Sequence, residues 1–351
     1  MLETIREFAA ERLEAAGEAD DILHRLAVQM LQLGEAARLT AESEPPERPE
    51  LVRPELDNFR SSIEWAREHD PELAFRLAIS LEQFWVLNDP FEGARVSKGL
   101  LDSGAAVPPK LRALALRVLS ESAFIAGDRE AGPRVMEEGL AEFERLGDEL
   151  GIAIAHHRLG VGVLVAGDIE RAKELFEASL ATVRRLPNAK LEGDLRLRLA
   201  SIERREGNFE RAAELLEQSI QLLERIGHKW LLAEALLSSS ELFREGGEMS
   251  RAEQRARVSL RLSAELVDRQ SIVYAIAALA RLAAETGQPE RAGRLWGSLE
   301  VETPRAPVGM WEQEREEIEA QVVRDDPAFE RGRESGRGLS LDEAVAYALG
   351  P

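Results

Sequence analysis

The chain has 351 residues, 44% of them apolar and 31% charged, with 65 acidic side chains against 45 basic ones. The formal charge of −20 repels phosphate backbones and argues against unaided nucleic-acid binding, while the absence of Cys excludes disulfides and every thiolate metal site. No apolar run reaches the length of a membrane-spanning helix, and the residues favoured are those that lose least on becoming helical, so an all-helical, soluble, cytoplasmic chain is expected.

In chain order, the opening stretch 1–17 is charged and amphipathic, without the apolar centre of a signal peptide. Glu44-Pro45-Pro46-Glu47-Arg48-Pro49 reads as a loop or linker. Asp70-Pro71 reads as an N-cap and first-turn proline opening a helix to about Leu87, and Asn88-Asp89-Pro90 breaks it before another helix from Phe91.

A repeat then takes over. Gly127, Gly167, Gly207, Gly247 and Gly287 stand forty residues apart. Each is followed five residues later by a small residue (Gly132, Ala172, Ala212, Ala252, Ala292) and preceded seven earlier by another (Ser120, Gly160, Ala200, Ser240, Ala280). Further small residues recur at Gly139, Ser179, Ser219 and Ser259, and a bulky column runs through Met136, Phe176, Leu216 and Trp296, with Ala256 in its fourth place. The Gly column ends the first helix of each pair in a left-handed cap, and the small residues let helix axes approach where they cross. The spacing predicts helix pairs at roughly 111–126/129–146, 150–166/169–186, 190–206/209–226, 230–246/249–266 and 270–286/289–300. Turns between pairs recur at Gly147, Pro187, Gly227 and Val267. After Thr303-Pro304 and Pro307 interrupt the array, Ser340-Leu341-Asp342-Glu343 forms a capping box that opens a last helix. The expected fold is all-α, a right-handed α-α superhelix of tetratricopeptide-like pairs with a forty-residue period. The domains expected are an off-register segment 1–106, an array 107–300 and a helical cap 301–351.

Three segments carry a more specific resemblance. Leu2-Glu3-Thr4-Ile5-Arg6-Glu7-Phe8-Ala9-Ala10-Glu11-Arg12-Leu13, Glu55 to Arg60 through Trp65, and Gly338 to Val345 occur in the order seen in bacterial signal-transducing P-loop ATPase regulators of the antibiotic-regulatory and maltose-activator kind. The chain resembles their C-terminal sensor arm. That resemblance implies binding of an inducer or partner that relieves autoinhibition of an ATPase. The chain holds no G-x-x-x-x-G-K-[ST] and no basic recognition helix, so it corresponds to the arm alone. The alternative is a free-standing adaptor or a peptide or small-molecule receptor.

Catalytic constellations are not evident. His156 and His157 are adjacent, and neighbouring helical positions point about 100° apart, which does not suit a shared metal. No H-E-x-x-H, nucleophile elbow or phosphate loop occurs. The chain therefore reads as a non-catalytic binding scaffold that needs no cofactor or metal, with a protein, a peptide or a small effector as partner.

In tetratricopeptide stacks the first helices line the concave groove. Counting back from each Gly puts Arg117, Glu121, His157, Asp194, Ser201, Arg204, Arg205, Glu234, Glu241, Arg244, Tyr274 and Arg281 on that face, with Glu245 and Glu285. Each taken alone is better read as an ordinary surface residue; the set together is the expected contact surface. Ile154, Val161, Leu164 and Val165 form an apolar patch beside His157, and Arg204-Arg205 a basic step. Together they would suit an amphipathic peptide or a carboxylate-bearing ligand.

Overall fold

A computed structural model describes residues 12–43, 47–186, 188–305, 308 and 311–350. Most of the opening motif from Leu2, the Glu44-Pro45-Pro46 stretch of the linker, and the turn prolines Pro187 and Pro307 lie outside them. The described residues form helices joined by turns and short loops, without a strand. They divide into two compact units, Met1–Leu191 and Glu192–Pro351.

The first unit begins with α1 (Ala19–Ala37), α2 (Leu56–His69), α3 (Pro71–Ser80), α4 (Glu82–Asn88) and α5 (Pro90–Asp102). The repeat pairs follow as α6 (Pro109–Ile125) with α7 (Ala131–Leu146) and α8 (Glu149–Val165) with α9 (Ile169–Val183). The single helix expected from Pro71 to Leu87 is broken at Leu81, whose backbone leaves helical geometry at φ −103° and ψ 13°. Ser80 Oγ donates to the Leu77 carbonyl at 2.7 Å, a local bond that competes with the helix ladder. The break turns Glu82 inward, where only 1% of it is exposed. Trp85, Phe59, Phe75 and Leu77 fill the core beneath, and Trp85 Nε1 donates to the Ala78 carbonyl at 3.2 Å.

The second unit pairs α10 (Ala189–Arg205), whose first residues belong to the unit before, with α11 (Phe209–Ile226). It continues with α12 (Lys229–Glu245) and α13 (Met249–Glu265), then α14 (Arg269–Glu285) and α15 (Pro289–Glu302). Three further helices close it: α16 (Trp311–Val322), α17 (Pro327–Gly336) and α18 (Leu341–Leu349). The capping box at Ser340 and Glu343 is present. Arg257 on α13 donates to the carbonyls of Leu349 and Gly350, both at 2.6 Å, and ties the end of α18 down.

The forty-residue register is visible in the backbone. Gly127, Gly167, Gly207, Gly247 and Gly287 all have positive φ, from 71° to 102°, and the inter-pair turns do the same at Gly147, Gly227 and, without a glycine, Val267. The bulky column Met136, Phe176, Leu216, Ala256 and Trp296 is buried throughout. The small columns do more than leave room. Ser179, Ser219 and Ser259 each donate a hydroxyl hydrogen bond of 2.7 Å to a carbonyl of the paired first helix, at Ala153, Gly193 and Ala233. Ser120 and Ser240 bond the other way, to Gly132 and Ala252. A further column is N-terminal: Asp148, Asn188, His228 and Asp268 cap their helices by accepting the N–H of Gly151, Leu191, Leu231 and Ser271.

A close helix crossing joins α15 and α17. Gly293 and Gly297 face Gly332 and Gly336, and a Cβ added at any of the four would lie 2.0–2.1 Å from a backbone carbonyl oxygen of the other helix. Two G-x-x-x-G faces thus bring backbone against backbone, where carbonyl oxygens meet Cα hydrogens.

Candidate functional site

In the first unit, the first helices carry a connected set of charged side chains that are mostly withdrawn from water. Arg117 stands in the middle of α6, inside the apolar run Leu114-Ala115-Leu116-Arg117-Val118-Leu119, and has no exposed surface. Its guanidinium donates to both oxygens of Glu82 at 2.7 and 2.8 Å and to both oxygens of Glu42 at 2.5 and 2.8 Å. Burial pushes the Glu42 carboxyl up, but the charge and hydrogen bonds of Arg117 outweigh it and bring it down to about 2. One turn along α6, Glu121 pairs with Arg158 of α8 at 2.9 Å. Burial raises the Glu121 carboxyl, against the opposing pull of Arg158. Lys190, also buried, donates to Glu47 at 2.8 Å and to the Thr40 carbonyl at 3.4 Å.

Beside the Glu121–Arg158 pair a pocket opens between α6, α7 and α8, walled by Phe124, Ile125, Pro133, Met136 and Val161. Glycines at 132 and 162 make the space: a Cβ on Gly162 would stand 3.2 Å from the Pro133 ring, and one on Gly132 would press on Phe124. Ile125 and Val165, one repeat apart at the ends of α6 and α8, remain 53% and 39% exposed, large apolar side chains left in water.

The second unit uses its first-helix face differently. Arg204 bonds Glu245 at 2.5 Å, and one repeat on Arg244 bonds Glu285 at 2.8 Å, the same contact regenerated by the register. Arg244 also bonds Glu241 at 3.1 Å, while Arg281 pairs with Glu241 and donates to Gln321 at 2.9 Å. Half-buried Arg198 is held between Asp194 at 2.8 Å and Glu234 at 2.6 and 2.9 Å, and these carboxylates hold its guanidinium above the ordinary value. These cations and anions largely neutralise one another.

The sequence-derived contact surface is corrected in several places. Arg117, His157 and Asp194 are buried, at 0%, 1% and 7% exposure, because their register positions point into the helix packing. The His157 ring lies 5.9 Å from that of Phe176. Arg204, Glu234, Glu241, Arg244 and Arg281 are engaged with each other or with neighbouring charged and amide side chains. Arg204 is therefore not half of a free basic step, whereas Arg205 is exposed. Ser201 is half-buried, and Tyr274 is half-buried with its ring edge-on to Trp311 at 5.8 Å. Glu42, Glu82, Arg158 and Lys190 were not anticipated. For Glu82 and Arg117 a signal existed, namely a lone charge inside an apolar helical run; for Glu42 none did, because its partner lies 75 residues away.

No protein-family model matches the chain, and no curated protein sequence matches it. Solved structures match it in fold. NprR in complex with its cognate peptide NprX aligns with a TM-score of 0.57 at 13% identity, over 90% of this chain and 88% of that one. The apo form of the quorum sensor NprR from B. thuringiensis gives 0.52 at 13% identity, over 86% and 99% of the two chains. A signal-transduction ATPase with numerous domains and a tetratricopeptide repeat sensor, from Pyrococcus horikoshii, gives 0.54 at 14% identity over 78% of this chain. This chain spans 43% of that structure's length. At such identities the likeness is one of fold: the chain is an all-α protein of tetratricopeptide-like helix pairs.

Proposed function

We propose that the chain is a non-catalytic binding module that recognises a peptide or a peptide-like segment of a protein on the first-helix face of its first unit. The observation that carries this reading is the pocket between α6, α7 and α8, an apolar recess with exposed Ile125 at its mouth and the Glu121–Arg158 pair at its side. Such a recess accepts an apolar side chain, while the pair beside it orients polar backbone groups. Support from likeness comes from NprR, whose structure contains a bound peptide. Peptides selected from a displayed library on the full chain should bind the wild type and lose at least about tenfold in affinity to Ile125→Asp with Val161→Arg, about 1.4 kcal/mol or more. Arg205→Glu, in the other unit, should leave binding unchanged. Equal affinity for the pocket variant and the wild type in calorimetry overturns the assignment.

The finer reading is a sensor arm that regulates an attached or partner P-loop ATPase transcription regulator. It is supported by the three resembling segments and by the Pyrococcus horikoshii ATPase, whose tetratricopeptide repeats form its sensor. A reading frame that continues upstream of Met1 through a nucleotide-binding loop supports it, and a stop codon immediately upstream in frame refutes attachment. A free-standing receptor then becomes the better reading.

A further inference from the structure

Residues Leu39–Ser43, with Glu47 beyond them, lie across the first unit in a way that their own sequence does not require. They leave α1 through Arg38, which has positive φ, and make a single tight turn closed by Ser43 N–H on the Thr40 carbonyl at 3.1 Å. Backbone and side chains are then gripped from distant parts of the chain. Gln83 N–H donates to the Leu39 carbonyl at 2.8 Å, and Ala41 N–H donates to Glu82 at 2.8 Å. Glu42 takes one face of the Arg117 guanidinium, and Glu47 takes Lys190.

We propose that this segment is an internal ligand, and that the surface it covers is a binding site for an acidic peptide that presents one carboxylate to Arg117 and a second to Lys190. The site lies on the same first helices as the apolar pocket, and the Glu121–Arg158 pair stands beside both, but the two carboxylate-binding cations, Arg117 and Lys190, do not line the pocket, so the proposal goes beyond the reading above and is tested separately.

Three observations carry it. Arg117 needs only one carboxylate for charge balance, and Glu82, from the adjoining helix α4, supplies that; its second pair of N–H donors is a built receptor for another planar carboxylate. Next, the segment's hold on Arg117 and Lys190 is polar, while its two apolar residues, Leu39 and Ala41, are both buried and anchor its start. A buried ion pair adds little net stability, yet losing one partner is costly. Replacing one carboxylate by another leaves the ion-pair energy nearly unchanged, so an incoming acidic chain must outcompete the tethered segment through contacts of its own. Lastly, without Glu42 and Glu47 the charges around this face include Arg117, Arg158, Lys190 and Lys110 against Glu82, Glu121 and Asp148, a local positive excess on a chain whose total charge is −20.

The probe is a fluorescein-labelled synthetic peptide with the sequence of residues 38–48, added in trans to the full-length chain. The variant Glu42→Gln with Glu47→Gln weakens the internal occupant while keeping its shape. Anisotropy should show that this variant binds the peptide at least about tenfold more tightly than the wild type, and that the peptide with Gln at both positions binds neither. Failure of a well-folded variant to bind overturns the proposal. In the wild type, excess peptide should also accelerate hydrogen exchange at Ala41 and Ser43, whose amides are protected by the internal contacts, and unchanged exchange at saturation overturns displacement. Ile125→Asp with Val161→Arg should not alter this peptide's binding, so failure of the pocket reading and failure of this one are distinguishable.

Discussion

Arg117 and its two carboxylates set the energetics at the scale of single residues. Replacing Arg117 by Met leaves the buried Glu82 beside the half-buried Glu42 without their shared cation, and should cost about 3–5 kcal/mol in urea unfolding. Adding Glu82→Gln and Glu42→Gln to that variant should recover most of the loss, since a neutral set no longer requires the guanidinium. Glu42 also gives a pH signature. Its folded carboxyl lies near 2 against an ordinary value of 4.5, so its contribution is complete above 4.5 and is lost as pH falls from there toward 2. Urea midpoints measured between pH 7 and pH 2.5 should fall less steeply for Glu42→Gln than for the wild type across that window. These residues show why the site was only partly readable. A lone Arg inside an apolar run marks itself as unusual, but a glutamate in a proline-rich loop looks like any solvated charge until folding carries it 75 residues back onto Arg117.

At the scale of elements, helix contacts follow from spacing more directly. The five positive-φ glycines, the first-helix ends and the buried bulky column all fall where the forty-residue period puts them, because cap geometry and small-residue crossings are local requirements. The serine columns were readable as small positions, while their hydroxyl bonds to facing carbonyls depend on which helix lies opposite. Ser219→Ala should therefore cost about 1 kcal/mol in chemical unfolding although it removes only one oxygen. A larger effect belongs to the α15–α17 crossing. Gly293→Ala places a methyl 2.0 Å from the Phe329 carbonyl oxygen, which only movement of backbone can relieve, and should destabilise by about 3 kcal/mol or more. Gly338→Ala, with its nearest neighbour 3.6 Å away, should change the midpoint little. The interruption of the helix at Leu81 was not legible, since Pro71 to Leu87 has continuous helical periodicity and the break rests on a serine–backbone bond and on Glu82 finding Arg117.

For the molecule as a whole, net charge and local charge oppose each other. An acidic peptide approaching a chain of charge −20 is repelled at distances where individual cations are not distinguished, and attracted only near Arg117 and Lys190. Its association rate with Glu42→Gln, Glu47→Gln protein should therefore rise as salt increases from about 20 to 200 mM, the reverse of electrostatically steered binding. A falling rate in stopped-flow mixing would contradict that balance of charges.

The sequence alone determined the helical class, the pairing of helices, the forty-residue register and the left-handed turns. All of these follow from periodicity and from residues whose backbone preferences act within a few positions. Tertiary structure decided which charges on the first helices are available. It buried Arg117, His157 and Asp194, engaged Arg204, Arg244 and Arg281 with acidic or amide side chains, left Ile125 and Val165 in water, and placed Glu42 and Glu47 over two cations. Those outcomes depend on partners many helices apart, and the strength of a charged contact is set by who faces it and how much water is removed, neither of which is encoded by spacing along the chain.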